Sequence, residues 1–138
     1  MGQREVRRWI DAPPERVFEV LGRYLCSFAW ISEGRPGHSA PPLPMVGAIL
    51  RCPLQRSTCS LCIQALEPTD TIRIEIRHAG QQLDVCFWLQ PQSGGTLLGC
   101  RLDYHAPLML MRSATTRIYH AIGNLPTLVK QRLEQPRH

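Results

Sequence analysis

Between residues 71 and 105 apolar and polar positions alternate with a period of two. Ile72, Ile74 and Ile76 interleave with Arg73, Glu75 and Arg77. Leu83, Val85, Phe87 and Leu89 interleave with Asp84, Cys86, Trp88 and Gln90, and Leu98, Cys100, Leu102 and Tyr104 with Arg101, Asp103 and His105. Successive side chains of a strand point to opposite faces, so these runs predict a sheet with one apolar and one polar face. Further strand-like runs lie near residues 4–10, 46–52 and 58–67, which makes about six strands in all. The turn signals between them are short: Glu67-Pro68-Thr69-Asp70, Ala79-Gly80 and Ser93-Gly94-Gly95. Short turns join antiparallel neighbours, and a doubly wound parallel sheet is excluded because no helix interrupts the run.

A different period frames the sheet. In DAPPERVFEVLGRY, Val17, Phe18 and Leu21 recur at helical spacing, Pro13-Pro14 stand where a missing N–H is harmless, and Glu15 complements the positive helix start. A second short helix is expected through LCSFAW, residues 25–30. The loop 32–45 that follows carries four prolines and two glycines, and its length suits a lid or binding loop. From Pro107 to about Glu134, Met111, Thr115, Ile118, Ile122, Leu125, Val129 and Leu133 fall three or four apart, the pattern of a long amphipathic helix able to cover the apolar sheet face. Pro126 cannot donate to the carbonyl of Ile122, so a bend is expected near residues 122–126.

Composition adds boundaries to this α+β picture. With 138 residues and 43% hydrophobic positions, one domain over residues 1–138 can bury a core. The net charge of +5 comes from dispersed arginines, Lys130 being the sole lysine. Nucleic-acid binding calls for a clustered basic stripe with aromatics, and none is present. There is no run of about 18 apolar residues to span a membrane and no secretory leader pattern, so a cytoplasmic location is expected. The six cysteines would then stay reduced and act as small hydrophobes.

Candidate chemistry is sparse on the apolar face. By parity Glu75, Asp84, Asp103 and His105 point to the polar side, leaving Arg8 (in register with Val6 and Ile10), Tyr104, Cys100 and one or two neighbours such as Cys59 or Gln64 as inward polar groups. An arginine on an apolar face must pair, reach water, or meet an anionic ligand group. Cys59-Ser60-Leu61-Cys62 has the spacing of half a zinc site, but within a strand positions i and i+3 face opposite ways and no second pair follows, so no metal site is expected. Trp88 points outward, where it either marks a dimer patch or lies under a neighbour.

The residues IDAPPERVFEVL at 10–21, Trp30, Val46-Gly47-Ala48 with Arg51, Ala65-Leu66-Glu67-Pro68, Gly94-Gly95-Thr96 and the helix ending in Leu133-Glu134 resemble the START-like, or SRPBCC, superfamily over nearly the whole chain. This group includes the birch-pollen-allergen and polyketide cyclase/dehydratase types. The resemblance implies a helix-grip fold, a curved antiparallel sheet around a long C-terminal helix with two short helices after the first strand. It also implies a cavity between sheet and helix, entered by the loop after the second helix.

Such a fold hosts unrelated functions, so the site must decide. The leading expectation is a non-catalytic carrier or sensor of a small apolar or aromatic molecule, with no cofactor, a site lined by Arg8, Trp30, Ile74, Val85, Phe87, Cys100, Leu102, Tyr104, Met111, Thr115 and Ile118, and a gate at residues 32–45. The alternatives are a cyclase/dehydratase-like enzyme in which Tyr104 and Arg8 polarise a carbonyl, and a protein-interaction module with a closed cavity. A homodimer stays open.

Overall fold

The computed structural model describes residues 2–28, 30–31, 45–54, 56–104 and 113–135. Six strands, β1 (Gly2–Ile10), β2 (Ile49–Pro53), β3 (Thr58–Glu67), β4 (Thr71–His78), β5 (Gln81–Gln92) and β6 (Gly95–Tyr104), form one sheet in the order β1-β6-β5-β4-β3-β2. All pairings are antiparallel. The meander β2 to β6 needs only short turns, and its two tightest hairpins are built by Ala79-Gly80 and Ser93-Gly94, each pair with positive φ at both positions. That is the backbone twist a two-residue hairpin requires, and glycine supplies half of it without strain. At Gly47, φ is 85°, so the chain is still turning and β2 begins at Ile49 rather than at 46.

The first helix, α1 (Pro14–Ser27), buries Val17, Leu21 and Leu25, each four residues apart. Because that stripe continues unbroken past Tyr24, residues 25–27 are the last turn of α1 and do not form the separate helix expected there. Phe28 ends it in the left-handed region, φ 56° and ψ 26°. The C-terminal pattern yields two helices, α2 (Ser113–Gly123) and α3 (Leu125–Glu134), joined at Asn124. Pro126 lies in the first turn of α3, where its missing N–H is tolerated, so the expected bend is a full break with the cause foreseen. Residues 107–112 of the expected helix lie outside the described residues. Among the described residues no helix is long and apolar enough to cross a membrane.

The registers line up three apolar rows across the inner face: Leu61, Ile76, Leu83 and Tyr104; Ile63, Ile74, Val85 and Leu102; Leu66, Ile72, Phe87 and Cys100. The C-terminal helices and α1 cover these rows, and the core is one continuous cluster. This is the helix-grip arrangement, an α+β fold. On the outer face Trp88 lies across Gly99, where any Cβ would sit about 2.1 Å from its ring, and the Arg7 guanidinium stands 5.8 Å from the ring centre. Trp88 therefore lies under a neighbour.

Candidate functional site

Seven of the predicted lining residues converge between the inner sheet face and the helices. Ile74, Val85, Phe87, Cys100, Leu102, Thr115 and Ile118 are all buried, none more than 3% exposed. At that exposure the side chains themselves fill the space around these positions. Met111 and residues 32–44 of the predicted gate lie outside the described residues.

Arg8 is corrected. Parity put it on the inner face, and it does sit opposite Leu98 of β6. But β1 is the edge strand, so the side chain is exposed and donates from Nε to Thr127 Oγ1 of α3 at 3.2 Å and from Nη1 to the Arg7 carbonyl at 2.7 Å. Nor does it meet Tyr104, which pairs with Gly2, six residues back along β1. At about 3.4 Å per residue that is roughly 20 Å, too far for both to hold one ligand group. Tyr104 is half-buried, its ring occupying the space a side chain at Gly2 would take, and it packs edge-on against Tyr119 at 5.0 Å between ring centres. Burial raises the pKa of Tyr119, and the neighbouring Tyr104 adds to the effect.

The inner face holds a titratable group that the alternation could have revealed. Extending Ile72, Ile74, Ile76 by one step reaches His78, which is 3% exposed. Its Nδ1 lies 2.7 Å from Thr115 Oγ1 and its Nε2 2.7 Å from Ser57 Oγ. A chain of three polar side chains thus joins the β2–β3 turn, the end of β4 and the start of α2. A neutral imidazole donates at one nitrogen and accepts at the other, and hydroxyls can answer either way. Ser57 carried no periodicity signal, since it lies in a turn.

Trp30 is buried, with its ring 5.9 Å from that of Phe28, and its indole Nε1 has no hydrogen-bond partner among the described residues. Native proteins leave few buried donors in that state.

The cysteines divide as parity requires: Cys59 and Cys100 are inward and fully buried, whereas Cys62 and Cys86 are half-exposed. Desolvation pushes the Cys59 thiol up to about 12, with the facing Cys52 adding to it. Desolvation likewise raises Cys100, Cys26 and Cys52. Thiolate is the reactive form. Iodoacetamide at pH 8 should therefore modify Cys62 and Cys86 in the native protein and leave the other four intact until denaturant is added, as peptide mass spectrometry would read. Rapid native labelling of Cys59 would contradict this packing. On the outer face, a trough of about 570 Å³ is lined by charged groups including Glu5, Arg73, Asp84, Arg101 and Asp103. Arg101 lies 3.5 Å from Asp103, and Glu5 is taken by Arg7 at 2.8 Å.

No protein-family model and no curated protein matches the chain. Solved structures do. The Aha1 dimer from Colwellia psychrerythraea superposes with a TM-score of 0.71 at 14% identity, over all of both chains. Ara h 8.0201 gives 0.66 at 12% identity, covering 93% of this chain and 97% of the other. DynU16, a protein of the dynemicin biosynthetic locus, gives 0.67 at 18% identity, covering 96% of this chain and 49% of its own. At such identities the likeness is one of fold.

Proposed function

We propose, starting from the helix-grip fold that the chain shares with START-like proteins, that it holds a small, largely apolar molecule bearing a hydrogen-bond acceptor between the inner sheet face and the C-terminal helices. In this reading residues 1–138 act as one domain, a carrier or sensor in the cytoplasm.

The observation that carries the reading is the buried indole N–H of Trp30, which has no hydrogen-bond partner among the described residues. Leaving such a donor unsatisfied costs about 1–3 kcal/mol. An acceptor on a bound molecule removes that cost. The rest of the wall supports it: apolar rows with a few polar groups, His78, Thr115 and Tyr119, are the usual make-up of a small-molecule site.

Since side chains fill the space around these positions, uptake requires a wall to move. The break at Asn124 divides that wall. α3 is tied to β1 through Arg8 with Thr127 and through Lys130 Nζ to the Trp9 carbonyl at 2.7 Å, whereas α2 is held by Thr115 on His78 at 2.7 Å and by the longer Arg4–His120 contact at 3.4 Å; in this reading α2 is the half that moves.

Native mass spectrometry of protein purified from its own host is the test. A co-purifying adduct is expected, and Trp30→Phe, which keeps an aromatic ring beside Phe28, should weaken its retention about fivefold for one lost hydrogen bond. Repeated absence of any adduct, together with no saturable binding of anilinonaphthalene sulfonate, would overturn the reading.

A second reading, a cyclase/dehydratase-like enzyme, is favoured by His78 alone. An inward imidazole is the group that acid–base chemistry needs and that Arg8 and Tyr104 cannot supply together. It requires a substrate within reach of Nε2 in place of Ser57, and a soaked crystal would reveal one.

A further inference from the structure

We propose that a concavity between α1 and the end of α3 is a binding site for a phosphomonoester dianion. It encloses about 220 Å³ and is lined by Arg16, Val20, Arg23, Tyr24, Ser27 and Arg132. The five α1 residues recur at spacings that put them on one stripe of the helix. That stripe flanks the Val17, Leu21 and Leu25 side that enters the core, so the site is independent of the space between sheet and helices.

Charge selects the ligand class. Among the described residues one carboxylate pairs with these three guanidiniums, Glu19, which lies 2.7 Å from Arg23 and 3.5 Å from Arg16. Three positive charges less one negative leave two, the charge of a phosphomonoester. A carboxylate ligand would neutralise only half of it. Arg132 has no ion-pair partner among the described residues, and the Tyr24 hydroxyl has no hydrogen-bond partner there. Guanidinium forks match phosphate oxygens in pairs, which ammonium groups do not.

The floor selects an ester over free phosphate. Val20 is buried, and the ring of half-buried Tyr24 stands beside it, giving an organic group an apolar surface. The negative C-terminal ends of α1 and α3 oppose an anion, but that effect fades within one turn and is screened by salt. Direct guanidinium bonds outweigh it.

Two sources supply this chemistry, a soluble phosphate ester and a phosphatidic acid headgroup, and two measurements separate them. Calorimetry at low salt with phenyl phosphate and inorganic phosphate should show phenyl phosphate binding more tightly. Arg132→Gln and Arg23→Gln should each weaken it about tenfold, Arg132→Lys should fall between, and Arg101→Gln on the outer sheet face should change nothing. Flotation with phosphatidylcholine vesicles, with and without phosphatidic acid, is the second arm. Arg132-dependent vesicle binding without phenyl phosphate binding assigns the lipid headgroup, and the reverse assigns a soluble ester. Failure of both, or binding indifferent to Arg132→Gln in variants that melt like the parent, overturns the proposal.

Discussion

Replacing Phe87 by alanine should lower the unfolding free energy by about 3–5 kcal/mol, the range for deleting a fully buried phenyl ring. Phe87 is completely inaccessible in the middle of β5, with Ile72 opposite it on β4 and Cys100 opposite it on β6. Domains of this size are stable by only about 5–15 kcal/mol, so the variant should be marginal and its denaturant midpoint should fall steeply at unchanged slope. The size of the loss also reports on the site. If the ring bordered an open cavity, deleting it would forfeit fewer contacts, and a loss below about 1.5 kcal/mol would contradict the filled space around it. A void lined by apolar side chains stays dry and accepts small apolar guests, so stabilisation of Phe87→Ala by benzene, absent in the parent protein, should accompany the loss.

The rows around Phe87 were legible because burial of one sheet face imposes a strict period of two. A slip of one residue in β4, β5 or β6 would turn every inward-facing isoleucine and leucine of that strand outward at once. The same reasoning misplaced Arg8 in function though not in parity. Alternation tells which face a residue takes and says nothing of where its strand lies in the sheet, and β1 is an edge. Its inward arginine therefore reaches along α3 to Thr127 and water. The Cys59–Cys62 pair shows the rule working where a motif would mislead, since one thiol is buried in the core and the other half-exposed.

Helix ends were less legible than helix faces. The break at Asn124 followed from Pro126, a residue with a fixed backbone consequence. The end of α1 at Phe28 rests on a left-handed conformation that no glycine or asparagine announced. The basic concavity escaped for another reason: Arg16, Arg23 and Arg132 gain meaning together only once α3 lies beside α1. His78 needed no structure at all, merely one more step along a pattern already in hand.

That histidine carries the second large effect. His78→Ala should cost about 2–5 kcal/mol. The hydrogen bonds to Ser57 and Thr115 are lost at about 1 kcal/mol each, a void opens in the core, and the fully buried Thr115 hydroxyl loses His78. Thr115→Val keeps the shape but removes the hydroxyl that meets His78 Nδ1, so about 1 kcal/mol is expected, whereas Thr115→Ser keeps the hydroxyl and should recover much of it. A general packing defect would loosen the whole core. Loss of this chain should instead free the element it anchors, because α3 keeps its ties to β1 through Arg8 and Lys130 while α2 keeps the longer Arg4–His120 contact among the side-chain ties described. Hydrogen exchange in His78→Ala should accordingly rise over residues 113–123 well before residues 125–134. Equal acceleration in both helices would mean that the Ser57–His78–Thr115 chain does not hold α2 in place, and α2 would then lose its standing as the part of the wall that opens for a ligand.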